Sequence, residues 1–139
     1  MNNVKIVTTL QNEAGSVTLK SVELEGDASQ NLEPQAIDIG TVNKEITLVL
    51  DTAKVLAIGI GCIKTRGQGS ELAAELTIKT NSTVTPNDTF VITPQNGLGW
   101  SSGDPTVIPL TVDVTKIYVT NTGTAKADLF IRILTDATP

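Results

Sequence analysis

The sequence predicts an all-β chain, a single antiparallel two-sheet sandwich over residues 1–139, with a jelly roll as the first choice of connectivity and an immunoglobulin-like sandwich as the second. Three observations predict it. The chain is dominated by Thr, Val and Ile, whose branched Cβ suits a pleated, half-buried surface. Apolar and polar residues alternate with a period of two between turn signals, in seven to nine short runs. A 3.6-residue period is nearly absent, which confines helix to a turn or two.

Residues 4–10 and 17–24 read as strands, the second with a phase slip near Ser21 that suggests a bulge. Residues 25–35 are polar and turn-rich, and read as a surface loop or the tether of an N-terminal arm. In 45–51, Ile46, Leu48 and Leu50 share one face of a half-buried strand. Residues 55–63 are apolar on both faces, as in a central strand or one buried against another subunit, and Gly59 and Gly61 share a face there. Residues 72–79 alternate Leu72, Ala74, Leu76 and Ile78 inward, with a helix as the minority reading. Weaker strands fit 89–93 and 107–112. Residues 115–120 and 127–134 read as a hairpin whose loop carries Asn121 and Gly123 for positive-φ positions.

Composition excludes whole classes of chemistry. Histidine is absent and the one cysteine, Cys62, lies in an apolar run, so the commonest general base and any Cys/His pair are missing, and Cys62 reads as a core residue. Catalysis is therefore not expected. A net charge of −5 gives no footprint for nucleic acid or an anionic membrane. The N-terminus lacks the apolar stretch of a secretion signal, no segment is long enough to span a membrane, and one thiol makes no disulfide framework, so synthesis in a cytoplasm is expected. Asp88, Asp104 and Asp113 have no calcium-loop spacing, so neither a metal nor a cofactor is expected. The glycine pairs 59/61 and 97/99 lack the lysine and helix of a phosphate loop.

The segment 94–105 reads as a long Gly/Ser/Pro loop carrying the only tryptophan, Trp100. Trp100 and Leu98 are candidate partner anchors, Ile58 and Ile60 candidate oligomer contacts, and a plug at one end of the sandwich is an equally weighted role for Trp100.

The run Lys116-Ile117-Tyr118-Val119-Thr120-Asn121-Thr122-Gly123-Thr124-Ala125, followed by Ala127-Asp128-Leu129-Phe130-Ile131, resembles the terminal hairpin of small virion proteins of tailed bacteriophages, in particular capsid decoration or cement proteins. The likeness is confined to the chain's end and is one of style, with no family binding residue to carry over. It implies a jelly-roll protomer, made in the host cytoplasm, that forms a homotrimer on the major capsid protein and stabilises the shell. The alternatives are a glycan-binding module or adhesin with Trp100 as platform and Asn96 and Asp104 taking sugar hydroxyls, and a tail or baseplate component of the same virion.

Overall fold

The computed structural model describes residues 2–26, 28–64 and 74–136. They form ten strands: β1 (Asn2–Asn12), β2 (Gly15–Gly26), β3 (Ala28–Ile37), β4 (Lys44–Leu50), β5 (Val55–Lys64), β6 (Leu76–Thr80), β7 (Thr89–Ile92), β8 (Leu98–Ser101), β9 (Val114–Asn121) and β10 (Ala127–Thr135). Helix among the described residues is one 3-10 turn, Thr52–Lys54, where the Asp51 carboxylate accepts the Ala53 N–H at 3.0 Å.

Eight of these strands make two antiparallel sheets ordered β3-β10-β5-β8 and β4-β9-β6-β7. The pairs β3·β10, β4·β9, β5·β8 and β6·β7 nest inside one another along the chain. A single long antiparallel ribbon rolled around a core gives that nesting, and the result is a jelly roll. The alternation read from the sequence decides what each strand buries. In β4, Ile46, Leu48 and Leu50 point inward, as expected. Leu76 and Ile78 of β6, Ile117 and Val119 of β9, and Leu129, Ile131 and Ile133 of β10 complete one continuous core.

Four expectations fail, each for a physical reason. The polar segment 25–35 contains most of β3, an edge strand that pairs on one side only, with β10. Pro34 sits where the β3–β10 register shifts, so the ladder does not need its missing N–H. The segment 94–105 is not one loop. A tight turn closed by Thr93 and Asn96 leads into β8, and the long connection is residues 102–113. Residues 107–112 form no strand; Pro109 interrupts them, and Val107 stands 86% exposed.

The fourth concerns residues 115–120 and 127–134, which are strands but not a hairpin, because β9 and β10 lie in opposite sheets. Asn121 is buried in the arch between them, and neither Asn121 nor Gly123 has positive φ. The left-handed positions fall instead on Asn43 and Asn81, and on Gly15, Gly40 and Gly103.

The remaining strands, β1 and β2, form a separate two-stranded ribbon. The bulge expected near Ser21 is present: Thr8 pairs with Lys20 and Thr9 with Thr18, leaving the backbone of Leu19 unopposed. Of the segment 72–79, Leu72 and Ala73 lie outside the described residues, and β6 carries most of the rest.

Candidate functional site

The four residues singled out as contact candidates come together, but inside the protomer. In the β5–β8 ladder Ile58 pairs with Trp100 and Ile60 with Leu98. Ile58 and Ile60 are 2% and 4% exposed, and Leu98 and Trp100 pack against the same core. The Trp100 indole N–H donates to the Thr106 carbonyl at 3.0 Å, fixing the ring toward the loop after β8. Trp100 thus packs in part on the protomer's own core and holds a short edge strand onto its sheet. β5 is a central strand, as expected, paired with β10 on one side and β8 on the other. Its inward set is Ile58, Ile60 and Cys62; the outward set toward the middle of the strand is Gly59, Gly61 and Ile63.

That outward face is unusual. Gly59 pairs with Gly99 on one side and Arg132 on the other, and Gly61 pairs with Phe130. A Cβ added at Gly59, Gly61 or Gly99 would meet nothing within 4 Å, and none of the three has positive φ. The result is a flat trough on the outer face of the sheet, with Ile63 53% exposed at one end. Gly97 is different, since a Cβ there would stand 2.7 Å from the Ile60 carbonyl oxygen, so its glycine serves the fold itself.

At one end of the sandwich three connections are braced into one body. The Asp113 carboxylate accepts the Thr52 N–H and hydroxyl at 2.9 and 3.0 Å, and the Asp88 carboxylate accepts the Thr111 N–H at 2.9 Å. Asn81 links them: its amide donates to the Asn87 side chain and the Asp113 carbonyl, and its carbonyl oxygen accepts the Thr115 N–H. The left-handed backbone of Asn81 makes this reach available. From this braced end Val84 and Val107 project, each 86% exposed. Sequence reading misses them because an isolated valine in a polar loop carries no periodic signal.

The aspartates considered for calcium are taken up as loop braces, with Asp104 accepting the Ser101 N–H at 3.0 Å. Among the described residues no group of three metal-ligating side chains comes together. Burial pushes the Cys62 thiol up to about 11. The folded chain holds that proton more tightly than the unfolded one, so the thiol's contribution to stability is complete below pH 9.0 and is lost as pH rises toward 11. Cys62 is expected to ignore a thiol reagent at neutral pH and to react stoichiometrically once denaturant unfolds the chain. Fast labelling of the native protein would contradict this placement. On the opposite sheet Lys116 pairs with Glu45 at 3.3 Å and lies over the Tyr118 ring at 5.8 Å, an exposed polar cluster.

Set against protein-family models, curated proteins and solved structures, the chain matches none of them.

Proposed function

We propose that this chain is a non-enzymatic structural protein of a tailed-phage virion, a decoration or cement protein that binds the outer capsid surface as a homotrimer and stabilises the shell. The observation that carries the reading is a jelly-roll body whose side chains are spent on its own core and loop braces, so that what it offers outward is surface. Capsid and lectin domains both use this fold. What weighs against the lectin-like alternative is that Trp100 packs in part on the core and its N–H is bonded to Thr106. We place the capsid contact at the braced end, with Val84 and Val107 as apolar anchors in place of Trp100 and Leu98.

Such a protein works by mass action. Binding across subunit boundaries favours the assembled shell, and three equivalent contacts per trimer add avidity that one weak contact lacks. Rigid loops suit this role, because little ordering entropy is lost when they dock. The test is retention on undecorated capsids of the same phage after sedimentation. Wild-type protein should co-sediment, while Val84→Asp with Val107→Asp should lose retention at least tenfold with an unchanged melting temperature. Wild-type protein that stays in the supernatant, or that binds tails in place of capsids, would overturn the placement.

A further inference from the structure

An asparagine side chain is chemically labile where the backbone nitrogen of the next residue can reach its amide carbon, and glycine, with no Cβ beside that nitrogen, hinders the approach least. In this chain Asn96 alone precedes a glycine. The structure sets it apart in two further ways. The side chains of Asn12, Asn43, Asn81, Asn87 and Asn121 are all held by hydrogen bonds, Asn12 accepting the Ala14 N–H at 2.8 Å, Asn43 the Thr120 hydroxyl at 3.3 Å and Asn87 the Asn81 amide at 2.8 Å. Asn96 is exposed, and its side chain has no hydrogen-bond partner among the described residues.

The backbone of Asn96 is fixed instead. Its N–H donates to the Thr93 carbonyl and its carbonyl accepts the Thr93 N–H, both at 3.1 Å. In the trans peptide that follows, the carbonyl points at Thr93 and the Gly97 N–H therefore points away, exposed and with no acceptor among the described residues. The attacking nitrogen and the amide it attacks are both unengaged.

We infer that Asn96 is a site of spontaneous modification by ring closure with Gly97, and that its isoaspartate product unfastens β8. The Gly97 nitrogen gives its proton to hydroxide and bonds to Asn96 Cγ, while the Cγ–Nδ2 bond breaks and the amide leaves as ammonia. The resulting succinimide takes up one water. Opening at Cγ gives aspartate with the chain path intact. Opening at the backbone carbonyl carbon gives isoaspartate, in which the chain runs on through Cβ and Cγ and the former carbonyl becomes a free carboxylate.

That longer path falls where the fold has no slack. A Cβ on Gly97 would stand 2.7 Å from the Ile60 carbonyl oxygen and 3.3 Å from the Gly61 Cα, so this residue lies tight against β5. The four residues of β8 follow directly, an edge strand paired with β5 alone, with Leu98 opposite Ile60 and Trp100 opposite Ile58. A main chain lengthened at Asn96 cannot keep both the turn and this register, and losing the register carries Trp100 off the core.

The test is to age the full chain in warm, mildly alkaline buffer and follow each asparagine by peptide mapping that separates aspartate from isoaspartate. Asn96 should exchange amide for acid at least about tenfold faster than any other asparagine, the order of the factor that one retained hydrogen bond is worth. Trp100 is the only tryptophan, so its emission reports on β8. The isoaspartate fraction, resolved by ion exchange, should emit further to the red, toward unfolded chain, while the aspartate fraction and Asn96→Asp keep native emission. Asn96→Gln, whose longer side chain closes the ring far more slowly, should age without either change. Reaction at Asn96 no faster than at the other asparagines overturns the site. Native Trp100 emission in the isoaspartate fraction, or a red shift in aged Asn96→Gln, overturns the unfastening of β8.

Discussion

Asn121→Ala should destabilise the protein by about 3 kcal/mol, the largest loss expected from any polar side chain among the described residues. The Asn121 amide donates to the carbonyls of Ile37 at 3.1 Å and Ala125 at 3.0 Å, and its oxygen accepts the Gly123 N–H at 3.0 Å. Ile37 and Ala125 are both fully buried, so alanine would strand two carbonyls away from water at about 1–3 kcal/mol each. The site joins β3, the β9–β10 arch and, through its own N–H to the Thr41 carbonyl, the loop after β3. Urea unfolding measures this as a lowered midpoint with an unchanged slope. Asn121→Asp separates donors from volume: it fills the same space but points oxygen at two carbonyls, and should cost at least as much as alanine. A mild aspartate variant would show that packing, and not hydrogen bonding, sets the value of this residue.

Trp100→Ala should cost about 2–3 kcal/mol, below the range for a fully buried aromatic because the ring is only partly covered. The loss acts on β8, a four-residue edge strand with few other anchors: Leu98 facing Ile60, and Ser101, whose N–H reaches Asp104. The unfolding midpoint should fall by several degrees. Trp100 fluorescence in the native state should be blue-shifted relative to unfolded chain. A surface-like stability change, within about 0.5 kcal/mol of wild type, would restore Trp100 as a free anchor.

How much of this is legible in sequence depends on whether a strand is paired on both sides. Interior strands such as β6, β9 and β10 carry strong apolar alternation because they bury a full face, and their positions follow from it. Edge strands need less. In β3, Ser29, Gln30, Asn31, Glu33 and Gln35 look like loop because one side of the strand has no ladder to satisfy and polar residues guard an open edge. In β8, Leu98 and Trp100 are two inward residues set among Gly and Ser, too short a run to show a period. The β9–β10 connection misleads for another reason. Asn121 and Gly123 mimic a hairpin turn, but local turn chemistry does not say whether the next strand returns to the same sheet or crosses to the other, and in a jelly roll it crosses.

The interaction residues mislead similarly. Ile58, Ile60, Leu98 and Trp100 are neighbours, since they form adjacent cross-strand pairs, yet their apolarity serves the protomer's own core. Glycines with open space and exposed valines on braced loops are distinguished from ordinary turn and loop residues only in three dimensions.

Stabilisation of the shell itself is the most direct measure of the role assigned to this chain. Scanning calorimetry of undecorated capsids, titrated with the protein, should show the shell transition moving upward and saturating at a fixed number of copies per particle, with Val84→Asp and Val107→Asp together abolishing the shift. A shell transition that stays in place at saturating protein would contradict the cement reading.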